Sequence, residues 1–413
     1  MAETETKNTS EKASGGKNPL VPTPGDLLHP ADDDPKALVG ESLLVLTATF
    51  KPVGDLDRFQ PAGFPEVGHV IYKAPRANDT VEHVCIVDSP ASMANHLEAL
   101  CMRGPHDYEL VEDLRGMPYL RCVTGEPENG KLPPEKREVV VTSLTEGHRI
   151  ASTYFLDGQC IDLAGQLETK QKQAKDKNKK GSETVPKEFK EILVEKFGIV
   201  LPDSKKAHPP ADKWWNVFKT IFRYDPNALV HGVLFPQWQI KIPRVLTAHL
   251  EAFGAGRVDR SGVKFDRLGK TTSGQPIFAV DDATAREIRA TFIVDLALVR
   301  SFGRGDGDPA LGLNKKQKEF LVALALWKIK RLLEQPFRFR SGCHLQCVGL
   351  KQGEDQVEIQ VDIKEAIKTA GFEEPPITDV YWPREELYRE AEKTEGGDKD
   401  EGEDQGNEEQ AED

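Results

Sequence analysis

The run Ser42–Phe50 (SLLVLTATF) constrains this chain most. It carries no charge and consists largely of apolar and β-branched residues, so it reads as a central strand of a sheet. Such a strand needs partners on both edges, and the later patterning supplies them. Val67–Tyr72 and His83–Val87 are the next strand candidates, reached through a Pro/Gly loop, Arg58–Pro65 (RFQPAGFP). A helix is then predicted from Ser89. The serine can N-cap, Pro90 suits the first helical position, and Met93, Leu97 and Leu100 recur at helical spacing up to Gly104. Ser92, Asn95, His96 and Ala99 lie off that stripe. Strand patterns return at Tyr108–Leu114, Tyr119–Val123 and Glu138–Thr142. Ser143 and Glu146 have the spacing of a capping box, which predicts a second helix over Thr145–Phe155.

Residues 161–224 change character and read as a helical insertion. Lys170–Lys180 holds six Lys against one Asp and reads as a mobile loop. Thr184–Phe197 is patterned as an amphipathic helix, with Phe189, Ile192, Leu193 and Phe197 on one side, and Trp214, Trp215, Phe218 and Phe222 suggest another. Sheet patterning resumes after Asp225-Pro226-Asn227. Ile240–Leu250 is strand-like, Gly254–Ile277 reads as a protruding hairpin, and Thr291–Val299 places Phe292, Val294, Leu296 and Leu298 on one face. Asn314 can cap a long helix running to Glu334, with Phe320, Leu324 and Trp327 in its core. Phe337–Arg340 alternates, and Cys343–Leu350 with Gln356–Ile363 reads as a closing hairpin. Strand–helix–strand order, twice over and with antiparallel hairpins, argues for an α+β sheet of the ferredoxin-like or RNA-recognition type. The expected divisions are a disordered leader (1–37), the first part of the sheet domain (38–160), the insertion (161–224), the remainder with its hairpin (225–384), and a disordered acidic tail (385–413).

The net charge of −13 is concentrated outside the body. Residues 385–413 hold 14 Asp/Glu against Arg389, Lys393 and Lys399, and residues 1–37 hold seven acids against four Lys, leaving residues 38–384 at +1. A nearly neutral body can still present a basic face to a polyanion. No stretch reaches the roughly 18–20 apolar residues of a membrane span. Met1–Lys17 has no apolar signal core. The six cysteines are scattered through core-like segments, as reduced thiols are. These features imply a cytoplasmic protein with no membrane partner.

Chemistry-bearing motifs are sparse. Cys343, His344 and Cys347 lack the second ligand pair that a zinc site needs, and Gly303–Gly307 is neither a Walker loop nor a dinucleotide fingerprint. His148 and Ser152 lie one helical turn apart without an orienting acid, and Asp281-Asp282 reads as a solvated pair. No metal, cofactor or catalytic set is implied. The nucleic-acid signals are stronger. Lys241, Arg244, Arg257, Arg260, Lys264, Arg267 and Lys270 crowd one segment, interleaved with Phe253, Phe265 and Phe278. Cations of this kind neutralise phosphates, and aromatic rings stack on unpaired bases. Ser89, Ser92 and Asn95 at a helix start can hold a phosphate. A solvated basic hairpin and simple capping by Ser89 remain the plainer alternatives.

Taken in order, several of these stretches form a recognisable set: Arg58–Pro65, Asp88–Glu98 (DSPASMANHLE), Ser143–Ser152 (SLTEGHRIAS), Asp225–Gly232 (DPNALVHG), Ile242–Leu246, Ser261–Arg267, and Thr291–Leu298 through Gly303. Over roughly residues 40–365 the set resembles the RAMP-superfamily, Cas7-type backbone subunit of the type I-G (formerly I-U) CRISPR Cascade complex. The resemblance implies a modified RNA-recognition palm with finger and thumb insertions. Copies of such a subunit stack along the guide (CRISPR) RNA, alongside other Cascade subunits, and leave RNA segments free to pair with target DNA. It places the thumb at Gly254–Ile277. It also turns Ser89, Ser92, Asn95, His96, His148 and Arg149 toward the guide, together with Lys241, Arg244, Arg257, Arg260, Lys264 and Arg267. In this family a separate helicase–nuclease cuts the target, so no enzymatic role is expected. The Lys-rich segment and the acidic tail fall outside the shared pattern. Two rivals stay open: an endoribonuclease of the same fold using His148 or an Asp, and an α/β interaction protein that binds no nucleic acid.

Overall fold

In the first strand, β1 (Leu43–Pro52), buried Leu44, Leu46, Ala48 and Phe50 alternate with more exposed neighbours, as an antiparallel sheet with one covered face requires. The computed structural model describes residues 18–29, 41–64, 68–173, 182–200, 207–258, 281–304 and 311–387. It is an α+β fold. After β1 come β2 (Ile71–Pro75), β3 (Val81–Asp88) and helix α1 (Pro90–Ala99). Much later follow β4 (Leu246–Phe253), β5 (Glu287–Asp295), helix α2 (Lys315–Leu333), β6 (Phe337–Arg340), β7 (Cys343–Gln352) and the short β8 (Asp355–Gln356). These strands form one antiparallel sheet in the order β6–β7–β1–β5–β4–β3–β2, with β8 paired to β7. β1 is therefore interior, as its sequence indicates.

Register puts Val45, Ile293 and Thr247 in one row and Thr47, Thr291 and His249 in the next, all half-buried or exposed. The opposite face buries Leu46, Phe292 and Ala248 beneath the helices. α1 begins on the Ser89 cap, whose hydroxyl accepts from Ser92 N, with Pro90 at the first position. It stops at Leu100, short of Gly104, which lies in a small strand. α2 runs 19 residues without Gly or Pro from a capping box made by Asn314 and Gln317, and it buries Phe320, Leu324 and Trp327.

A second sheet of four strands lines up Gln159–Cys160, Ile377–Tyr381, Tyr119–Thr124 and Glu138–Thr142. Arg121 clamps Asp379 at 2.7 and 3.0 Å, and Arg137 reaches the same carboxylate at 2.6 Å. All six cysteines are unpaired thiols, five of them buried. No helix among the described residues is long and apolar enough to cross a membrane.

Several elements differ from their sequence patterns. The predicted helix over Thr145–Phe155 is instead a turn, a 3-10 turn (Arg149–Ala151) and a short helix (Thr153–Leu156). Ser143 Oγ accepts from Leu120 N and Glu146 turns to His148 N, so no capping box forms, and Arg149 at φ 54° breaks the helical path. Pro186 ends a strand, Ser182–Pro186, that pairs with Thr169–Gln173, so the helix starts at Phe189 instead of Thr184 and the Lys-rich segment opens as a strand instead of a loop. Ile240–Leu250 is two strands parted at Pro243. β5 ends at Asp295, whose carboxylate caps a short helix, Leu296–Ser301, at Leu298 N (2.8 Å). Of the closing strand expected over Gln356–Ile363, only Gln356 pairs with β7, residues 357–362 are irregular, and Ile363 opens a helix, Ile363–Ala370. The hairpin expected at 254–277 is described only at its stem, where Gly256–Val258 pairs with Asp282–Thr284. Residues 259–280 lie outside the described residues, as do 388–413 of the tail expected from 385 and most of the leader; the described leader residues 18–29 are not disordered but hold a short helix, Pro24–Leu28, with Leu27 and Leu28 buried.

Phe292 is fully buried, whereas its neighbour Thr291 lies on the open face. Phe292→Ala is expected to lower unfolding stability by about 3–5 kcal/mol and Thr291→Ala by about 0.5 kcal/mol or less. Urea denaturation of the two variants checks the facing of β5.

Candidate nucleic-acid interface

The end of β3 and the start of α1 hold the first group of candidate residues. Ser89 and Ser92 are half-buried and Asn95 is exposed on the outer side of the helix. Asp88, buried at the strand end, accepts from Ser89 N at 2.9 Å and pairs with His96 Nε2 at 2.9 Å and Arg340 at 3.0 Å. Burial pushes the Asp88 carboxyl up. The His96 hydrogen bond, the Arg340 charge and Ser92 outweigh it and hold the group below its ordinary value. The His96 ring also lies edge-on to Phe337 and Phe339 at 5.4 and 5.5 Å. His96 is thus largely engaged inside the fold, and Ser89 does act as a cap.

The inner side of α1 carries a feature the sequence reading missed. Glu98 is buried and accepts from Arg149 Nε and Nη2, both at 2.7 Å, and from Asn227 Nδ2 at 2.6 Å. Arg149 Nη1 donates to Gly147 O at 3.3 Å and Gly232 O at 3.2 Å. Gly232 (φ 82°) must be glycine, because a Cβ there would crowd Ile242 O and the Arg244 backbone. Lys328 of α2 donates to Asn227 Oδ1 and reaches His231 Nε2 at 2.8 Å. Asp225 accepts from Ile150 N and Ala228 N at 3.3 and 3.2 Å. Burial lowers the Lys328 pKa, and burial with the Lys328 charge holds His231 far below its usual range, as a neutral ring. Burial and the Glu98 charge raise the Asp225 carboxyl to about 7. Arg149, expected to face RNA, is therefore buried, with its guanidinium committed to Glu98 and two backbone carbonyls. The residues of this node come from three quoted stretches and from α2, each of which supplies a separate strand of the network. The sequence signals were a Glu on the apolar side of α1 and a Lys at the end of the apolar run Phe320–Trp327 of α2.

His148 turns outward from the same segment. Its side chain is 81% exposed and bonds only to Glu146, at 3.1 Å. Lys241 is exposed, Arg244 is half-buried beside Arg149, and Arg257 is exposed and pairs with Asp281 at 3.3 Å. Arg260, Lys264 and Arg267 lie outside the described residues. The structure thus groups Ser89, Ser92, Asn95 and His96 on α1, and sets His148, Lys241 and Arg257 on other elements.

The arrangement gives little for nucleophilic or metal chemistry. Ser152 is buried and caps Tyr154 N, and His148 bonds to Glu146. His96 meets both Ser92 (3.4 Å) and Asp88 through the same Nε2, so it cannot relay a proton between them as a triad histidine does. Cys343 is buried while His344 points to the other face of β7. Among the described residues no three His, Cys, Asp or Glu side chains converge to hold a metal ion.

The described residues form an α+β fold with helices on one face of the larger sheet and hydroxyl, amide and cationic side chains on the outer elements. A family model described as CRISPR-associated protein GSU0053 matches residues 44–257, which run from β1 to the stem strand before residue 259. That span exceeds half of the 413 residues, and the chain belongs to this CRISPR-associated family, which is of the Cas7 type. Among curated proteins none matches the chain.

Two measurements test the buried node. Glu98→Gln leaves the Arg149 charge without its counter-ion and is expected to lose about 3–5 kcal/mol in chemical denaturation, part of which Glu98→Leu/Arg149→Met restores. The Asp225 carboxyl binds its proton in the folded state up to about pH 7, against about 4 when unfolded. Its contribution to stability therefore falls as pH rises through that window. Asp225→Asn is expected to gain stability relative to the parent across that window and to level off above it, read from melting curves over pH.

Proposed function

We propose that this chain is a guide-RNA-binding backbone subunit of a type I-G CRISPR surveillance complex, stacking with copies of itself along the RNA beside other Cascade subunits. The guide is presented for pairing with target DNA. The observation that carries this reading is the strand order β7–β1–β5–β4, with α1 and α2 in the two connections. Counted along the chain that order is 4-1-3-2, the order of ferredoxin-like and RNA-recognition sheets. Membership of a CRISPR-associated family supplies the biological setting.

In this reading the sheet is the palm, the segment between the stem strands Gly256–Val258 and Asp282–Thr284 is the thumb, and the guide backbone runs past Ser89, Ser92, Asn95, His148, Lys241 and Arg257. Arg149 acts from within, through the shape of the His148 turn. The subunit works in the cytoplasm and by binding alone.

The test is to isolate the tagged protein from cells expressing a repeat–spacer array and the sibling subunits, digest with nuclease and sequence the protected RNA. Spacer-matched fragments are expected. Lys241→Glu/Arg257→Glu should reduce RNA recovery and lower the salt dependence of binding by roughly two phosphate contacts. A random RNA mixture, or none, from an assembled complex would overturn the reading.

A further inference from the structure

A cleft of about 1100 Å³ opens beside the His148 turn, between the short helix Thr153–Leu156, the helix Phe189–Phe197 and the turn Pro236–Trp238. Its floor is apolar and fixed. Trp238, 5% exposed, stacks on Phe235 at 5.4 Å and meets Phe197 edge-on at 5.7 Å. Tyr154 and Leu234 also line it, yet remain 40% and 53% exposed. One rim is closed by ion pairs: Lys170 with Glu191, and Lys190 with Asp157 at 2.8 Å. These pairs cancel locally and offer no net charge. The other rim is different. His148 lines the cleft and bonds through Nδ1 alone, leaving Nε2 outward. Lys241 sits directly across the strand pair from Leu234, so both project from the same face of that hairpin, and Lys241 is exposed.

An apolar, ring-lined pocket bordered on one side by the outward Nε2 of His148, whose Nδ1 is held by Glu146, and by the nearby exposed Lys241 matches a molecule with a flat aromatic body and an anionic tail. A protein side chain would satisfy the floor without needing the cations, and a simple anion would leave the floor empty. We infer that this cleft is a nucleotide subsite that receives one unstacked base of the bound RNA against Tyr154, Leu234 and Trp238, with its phosphate at His148 and Lys241. The inference rests on the guide-RNA reading and adds a base-contacting site away from the thumb. Stacking and burial against Tyr154, Leu234 and Trp238 suit any base, as a protein that must accept every spacer sequence requires.

The experiment uses full-length protein and single-stranded RNA of one length, either normal or abasic, in a binding titration over salt. It also uses RNA carrying 4-thiouridine, irradiated and mapped by mass spectrometry. Normal RNA is expected to bind about tenfold tighter than abasic RNA, within the range of one stacked base, with crosslinks at Tyr154, Trp238 or His148. Leu234→Asn, an uncharged change at a position already half open to solvent, should weaken binding of normal RNA more than binding of abasic RNA and so shrink that preference. Tyr154→Phe should keep the preference. Equal binding of both RNAs by the parent protein, or crosslinks confined to other segments, overturns the subsite alone. Crosslinking of a protein partner at Tyr154 in the assembled complex also overturns it. Failure to bind either RNA overturns the guide reading and the subsite together.

Discussion

The ion pair between Glu98 and Arg149 is the constraint around which the rest of the molecule is arranged. Glu98 lies on the covered side of α1, Arg149 in a left-handed turn, Asn227 and His231 on the helix Pro226–His231, and Lys328 midway along α2. Charges buried this deeply are tolerated only when every partner is in place. The node therefore fixes the relative position of four segments distant in sequence. An apolar cluster of equal volume would hold them together, but with less directional demand on the turn that carries His148.

That arrangement separates support from contact. Residues facing inward from α1 and the His148 turn serve the node, and residues three positions or one position away face solvent: Asn95 against Glu98, and His148 against Arg149. A short stretch such as Gly147-His148-Arg149 thus has one side chain for the interior and one for the surface. The Asp88–His96–Arg340 group repeats the design at the other end of α1, tying the helix start to the edge strand β6.

Much of the framework was legible in the sequence because its signals are local. The alternation in β1 and β5, the Ser89-Pro90 start of α1 and the Asn314 cap of α2 each depend on a few adjacent residues. The misreadings share a cause: tertiary partners overrode a local pattern. Ser143 had the spacing of a cap but was taken by Leu120 N, and Thr184 was helix-patterned but was claimed by the strand Thr169–Gln173. The candidate site was legible as a set of segments, less so as individual contacts. Arg149 looked like an RNA ligand because a cation beside a histidine in a polar turn gives no hint that a glutamate from another helix waits beneath it. Lys328 was hidden for the opposite reason, as one cation in a run otherwise suited to the core.

The strand order also bears on how the chain is made. β1 pairs with β5 and β7, and the first of these partners begins more than 230 residues after β1 ends. At a synthesis rate of about 5–20 residues per second, β1 spends roughly 10–50 s outside the ribosome with neither edge paired. An uncharged, β-branched segment with two open edges is a template for association with other nascent chains. An interior strand of the finished sheet is thus an exposed one in the growing chain, and shielding it during translation becomes part of producing the protein.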